Sequence, residues 1–155
     1  MIGVKPFVFR AQVALEVRRR RDEDAQRELA AAEMRRLAAT EQLGDATATL
    51  RLGLEEAALA ERREGSVATR MWHRNWIVGQ RMEVERCAAQ VKQRERDVEH
   101  AAQRARDAHR ERESLERLHD RAFSAWQDAA QHAEQKAIDE LAGMRFWRAR
   151  AGGQP

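Results

Sequence analysis

Carboxylates abound in this chain, but the histidine, cysteine and serine side chains that would complete a catalytic or metal site are few and dispersed. Five histidines, His73, His100, His109, His119 and His132, stand without a paired metal-binding spacing. His109 and Glu113 would share a helical face at i, i+4, but two ligands do not make a zinc site. The single cysteine, Cys87, falls within an apolar periodicity, where a free thiol behaves as a small hydrophobe. No Gly-x-x-x-x-Gly-Lys phosphate loop is present, and no Gly-x-Gly-x-x-Gly follows a strand. Serine is scarce, and a narrow helical protein offers no concave pocket where nucleophile, base and oxyanion donors could meet. These residues predict a protein that is not an enzyme and that uses no metal or cofactor.

Binding chemistry is better represented. Arg18, Arg19, Arg20 and Arg21 follow one another near the start, and Arg145, Arg148 and Arg150 lie near the end. Residues 1–21 carry a net +5 and residues 144–155 a net +3, leaving −5 in between for a chain whose total is +3. Such asymmetry steers association with an acidic partner. A basic helix beside a coiled coil is also the arrangement of basic-region zippers, which bind DNA. Here, however, Asp22-Glu23-Asp24 follows at once, and four consecutive arginines point around most of the helix rather than along one groove-facing side. Nucleic acid is therefore not expected as a partner. Trp72, Trp76, Ile77, Val78 and Met82 crowd another short stretch, more apolar surface than one helix stripe buries. Exposed Trp and Met clusters mark binding hot spots, although the same residues could plug a helical turn. Phe123, Trp126, Phe146 and Trp147 make a second such group.

The elements that must position these residues are long helices. Proline occurs only at positions 6 and 155, so nothing between them lacks a backbone donor. Apolar or small residues recur in steps of three and four at Ala25, Leu29 and Ala32, then Leu43, Ala46, Leu50, Leu54 and Ala57, with Arg36 interrupting. Gly44 and Gly53 should weaken this helix by about 1 kcal/mol each relative to alanine. A more regular heptad series runs through Val84, Cys87, Val91, Val98, Ala101, Ala105, Ala108, Leu115, Ala122, Trp126, Ala129 and Ala133, with Arg94, Arg112 and His119 as exceptions. Between the two patterns stands Glu64-Gly65-Ser66-Val-Ala-Thr69. Gly65 could stop the first helix in the left-handed conformation, and Ser66 or Thr69 could cap the second.

A turn so short forces an αα-hairpin. The expected fold is all-α: a two-helix antiparallel coiled-coil hairpin with an extended C-terminal helix. All of residues 1–155 would form one elongated domain, with helix one at about 8–63, the turn at about 64–69 and helix two at about 70–149. At ~1.5 Å per residue the second helix outruns the first, so its last ~25 residues should project as an unpaired tail. Composition agrees: 35% of residues are charged, only 5% are aromatic, and 29 of the hydrophobic residues are alanine. That balance is the signature of coiled coils and long helices. One cysteine, no apolar run of about 18 residues and no signal-peptide core in Met1–Phe9 predict a cytoplasmic protein.

From end to end the order of features resembles the FliJ family of flagellar type III export proteins. Family members open on a Phe-x-Phe pair, here Phe7-Val-Phe9, leading into a basic and then Glu/Ala-rich helix. A short Gly/Ser turn and an aromatic-rich start to helix two follow, with tryptophan here where the family has tyrosine. Most specific is Glu134-Gln135-Lys136-Ala-Ile-Asp139-Glu140, which is similar to the family's Glu-Gln-Lys…Asp-Glu signature. The resemblance implies a central stalk in the hexameric ring of the export ATPase FliI, touching the export gate FlhA and linking ATP hydrolysis to export. Export chaperones are further implied partners, and membrane association would come only through partners. In that scheme Arg18, Arg19, Arg20, Arg21, Lys136, Arg145 and Arg148 would contact the ATPase, and Trp72, Trp76, Val78 and Met82 the gate. The corresponding stalk of a virulence injectisome, a nucleic-acid-binding coiled coil and a homodimeric spacer are the alternative readings.

Overall fold

The computed structural model describes residues 5–63 and 65–152. The opening Met1–Val4, Glu64 of the predicted turn and Pro155 lie outside the described residues. Two helices, α1 (Gln12–Arg62) and α2 (Val67–Ala151), account for nearly all of these residues and pack against each other, and no strand occurs among them. Helices of 51 and 85 residues are possible because no proline interrupts either one. The first starts at Gln12, later than the start near residue 8 expected from sequence, because Lys5–Phe9 is held in a non-helical segment. Contacts divide the chain into two units, residues 21–108 and residues 1–20 with 109–155.

In the unit of residues 21–108 the buried and half-buried positions of α1 step by three and four: Asp22, Ala25, Leu29, Ala32, Arg36, Ala39, Leu43, Ala46, Leu50, Gly53, Ala57 and Ala60. The facing series on α2 runs through Ile77, Gln80, Val84, Cys87, Val91, Arg94, Val98, Ala101 and Ala105. The buried members are Ala32, Ala39, Gly53, Cys87, Ala101 and Ala105 together with the charged Asp22, all small or short, so the seam is thin. Each contributes little apolar area, and stability comes from repetition rather than from a thick core. Cross-helix pairs include Glu28 with Arg104 at 3.3 Å, and Gly53 beneath Trp76. Leu54, expected on the stripe, is 40% exposed; Gly53 occupies the seam position instead. A hydropathy pattern cannot see a glycine, so the periodicity had shifted by one residue onto its large apolar neighbour.

The turn belongs to the same unit. The N–H groups of Arg63 and Gly65 both donate to the Ala60 carbonyl, at 3.3 and 3.4 Å. Gly65 does not adopt the left-handed backbone anticipated for it. A Cβ there would lie 3.3 Å from the Ala60 oxygen, so the glycine serves a close approach. Ser66 caps α2, its Oγ accepting from the Thr69 N–H at 3.2 Å and pairing with the Thr69 hydroxyl at 3.0 Å.

In the other unit Leu15 is the most buried side chain, at 1% exposure. Two ion pairs cross from α1 to α2, Arg18–Glu111 and Arg19–Glu116, the second at 3.1 Å. The α2 heptad continues through Arg112, Leu115, His119, Ala122 and Trp126 and then ends, since Ala129 and Ala133 are exposed. Lys5–Phe9 lies as an aromatic strap across His119, Phe123 and Trp126.

Candidate protein-interaction surfaces

One surface lies near the turn and is built by the first turns of α2 on the end of α1. Trp76 anchors it: a Cβ built on Gly53 would fall 1.8 Å from the indole Cζ3. The ring therefore sits on bare helix backbone, which only glycine allows. Trp76 and Ile77 are half-buried, so part of the crowding read from sequence resolves into packing. Trp72 remains 61% exposed, its ring meeting His73 edge-on at 5.0 Å, and Val67, Met71, Val78 and Met82 are also exposed. Beside them runs an open groove of about 750 Å³ with Leu54, Ala57, Met71, Ile77 and Val78 among its walls. Arg70, Arg74 and Arg81 also line it, against Glu61 as its one acidic residue. An apolar floor with a cationic rim suits an acidic amphipathic segment.

A second surface belongs to the unit of residues 1–20 and 109–155. Of the arginine run, Arg18 and Arg19 are engaged by Glu111 and Glu116 and Arg20 is exposed, while Arg21, also exposed, belongs to the other unit. Phe123 and Trp126, expected on or near the unpaired tail, are instead met by Phe7, with ring centroids 5.2 and 5.9 Å away. The Trp126 Nε1–H donates to the Lys5 carbonyl at 2.9 Å. Two phenylalanines at i, i+2 in an extended segment point to the same side, which is the signal that could have revealed the strap. Beyond residue 130 nearly every residue of α2 is exposed, including Ile138, Leu141, Met144, Phe146 and Trp147, the last at 70%. Lys136, Arg145 and Arg148 are exposed on this segment, as are Glu134 and Glu140. The Gln135 amide donates to Asp139 at 3.0 Å, an i, i+4 bond that holds the signature stretch helical.

Several groups with chemical potential are occupied in packing or local pairing. Cys87 is buried and its thiol meets Glu83 at 3.7 Å, while Arg86 holds that carboxylate below its ordinary pKa by hydrogen bonding. Asp97 is lowered by hydrogen bonds from Gln93 and Arg94. His119 lies among the aromatic rings, His132 bonds to the Asp128 carbonyl at 2.7 Å, and His109 lies 3.3 Å from Arg112. Among the described residues no group of three or more His, Cys, Asp or Glu could hold a metal ion. No helix of the described residues is long and apolar enough to cross a membrane.

A family model described as "Flagellar FliJ protein" matches residues 9–151, nearly the whole chain. No curated protein and no solved structure matches.

Proposed function

The chain belongs to the FliJ family, and on that premise we propose that it is the central stalk of the flagellar type III export apparatus. In this reading it is one elongated, antiparallel coiled-coil hairpin over residues 1–155, standing in the cytoplasm and reaching the membrane only through its partners. It binds and stimulates the export ATPase FliI, links that ring to the gate FlhA, and meets export chaperones. The observation that carries the reading is the family match over residues 9–151. The two surfaces support the division of labour. Arg20 and Arg21, with Lys136, Arg145 and Arg148, offer exposed cations to the ATPase, and Arg18 and Arg19 position that end through their ion pairs. Trp72, Val78 and Met82 offer apolar surface to the gate, with Trp76 beneath them fixed on Gly53.

The test is the steady-state rate of the cognate flagellar ATPase at increasing ratios of this protein. Stimulation saturating near one copy per hexamer is expected. Absence of both stimulation and co-sedimentation would remove the stalk reading.

A further inference from the structure

Residues 5–9 contact α2 in the manner of a bound peptide. Phe7 and Phe9 turn inward while Val8, between them, is exposed. Phe7 meets His119 and Phe123 edge-on at 5.5 and 5.2 Å, and Phe9 meets His119 edge-on at 5.2 Å. Pro6 has no N–H to leave unsatisfied and favours the extended backbone. The receiving surface comes from α2 alone. His119, Phe123 and Trp126 are spaced i, i+4, i+7, with the His119 and Phe123 rings 5° from parallel and Phe123 and Trp126 27° apart. The Trp126 indole N–H at one end of this row takes a backbone carbonyl, that of Lys5. Phe123 stays 38% exposed with the strap in place, so the seat extends past what the strap covers. The strap joins α1 through a turn closed by the Gln12 N–H on the Phe9 carbonyl at 3.1 Å, outside the helix it would otherwise have to unwind.

We propose that His119, Phe123 and Trp126 form a peptide-recognition seat for an extended aromatic-x-aromatic segment of another protein, and that Phe7-Val8-Phe9 is its resident competitor in cis. The strap displays the chemistry of the ligand: two rings at alternate positions, and a carbonyl two residues before the first ring. Tethering gives the strap an effective concentration in the millimolar range, so an incoming segment displaces it only when tethered nearby or better matched. This inference goes beyond the stalk role and stands or falls separately from it.

The probe is a fluorescein-labelled peptide, Lys-Pro-Phe-Val-Phe-Arg, followed by anisotropy as full-length protein is added. The variant carrying Phe7→Ser and Phe9→Ser should bind it at least ten-fold more tightly than the unmodified chain, and adding Trp126→Ala should abolish the binding. Equal affinity for both chains, no binding to either, or indifference to Trp126→Ala overturns the proposal. Circular dichroism shows whether the double variant keeps its helices. A second measurement needs no variant: hydrogen exchange of the Trp126 indole N–H in the unmodified chain. Corrected for each group's intrinsic rate, it should be at least ten-fold less protected than the Leu115 and Ala122 backbone amides, and equal protection overturns the proposal because the strap then never vacates the seat.

Discussion

Replacing Gly53 by alanine separates two effects that usually travel together. Alanine is the better helix former by about 1 kcal/mol, so Gly→Ala in an open helix interior stabilises. Gly44 and Gly79 are such positions, with nothing within 4 Å of a built Cβ. At Gly53 the same methyl would lie 1.8, 2.4 and 2.8 Å from three carbons of the Trp76 ring. The ring is only half-buried, so the cost is taken as its lost packing rather than a crushed core. Losing roughly 60 to 80 Å² of buried aromatic surface at about 25 cal/mol per Å² costs about 2 kcal/mol. Gly53→Ala should therefore destabilise by about 1 kcal/mol, while Gly44→Ala and Gly79→Ala stabilise by about the same amount. In a Trp76→Ala background the clash is gone, and Gly53→Ala should recover the ordinary gain, giving a coupling of about 2 kcal/mol. Urea unfolding followed by circular dichroism compares the unmodified chain with these five variants, and tryptophan emission should shift to the red in Gly53→Ala but not in Gly44→Ala or Gly79→Ala. If Gly53→Ala stabilises as much as Gly44→Ala and the coupling is near zero, the packing of Trp76 on α1 is wrongly understood.

The same geometry sets further expectations. Leu15→Ala should cost about 2–3 kcal/mol in chemical denaturation, the low end for a buried leucine because the surroundings are thin enough to collapse; a loss below about 0.5 kcal/mol would mean that Leu15 is not buried in solution. Ala101→Leu should destabilise by about 1–3 kcal/mol through overpacking of the seam, whereas the same change at exposed Ala89 should be near neutral. Arg20→Ala with Arg21→Ala should reduce ATPase stimulation with no change in melting temperature. Arg19→Ala should lower stability by less than about 1 kcal/mol, and that loss should vanish in high salt. For pH, the folded-state pKa values of Glu83 and Asp97 are depressed, so their stabilisation is present above the ordinary carboxylate range and is lost as pH falls through the folded values. Melting temperature should fall below about pH 4, less steeply in Glu83→Gln with Asp97→Asn, and an unchanged slope would count against those pairs.

The helical class and most of the α2 seam are legible in the sequence, because Val84, Cys87, Val91, Val98, Ala101 and Ala105 keep one series of threes and fours that only Arg94 interrupts. The α1 stripe was misread at one point, where Gly53 stands at the seam and the more hydrophobic Leu54 beside it does not. Ser66 was readable as a cap, since its role depends on atoms within three residues. Gly65 was harder: the residue type announces a constraint but not whether handedness or space is the reason. The strap was invisible to helical periodicity. Phe7 and Phe9 follow a two-residue period, and their partners His119, Phe123 and Trp126 lie more than a hundred positions away. The Trp72–Met82 cluster was legible as surplus apolar surface, and only the structure separates half-buried Trp76 from exposed Trp72 and Met82.

A seam made from two positions in every seven, with alanine its commonest residue, leaves most of the chain without an internal duty. Substitutions at the remaining exposed positions, glycines and helix caps aside, are expected to change stability by no more than about 0.5 kcal/mol. Such a scaffold can alter charge and contact chemistry along its flanks with little penalty to its fold. Adaptation to a changed partner would then proceed residue by residue on the outer faces. The seam residues, Gly53 beneath Trp76 and the alanines at 32, 39, 101 and 105 would stay fixed as the frame on which that drift is carried.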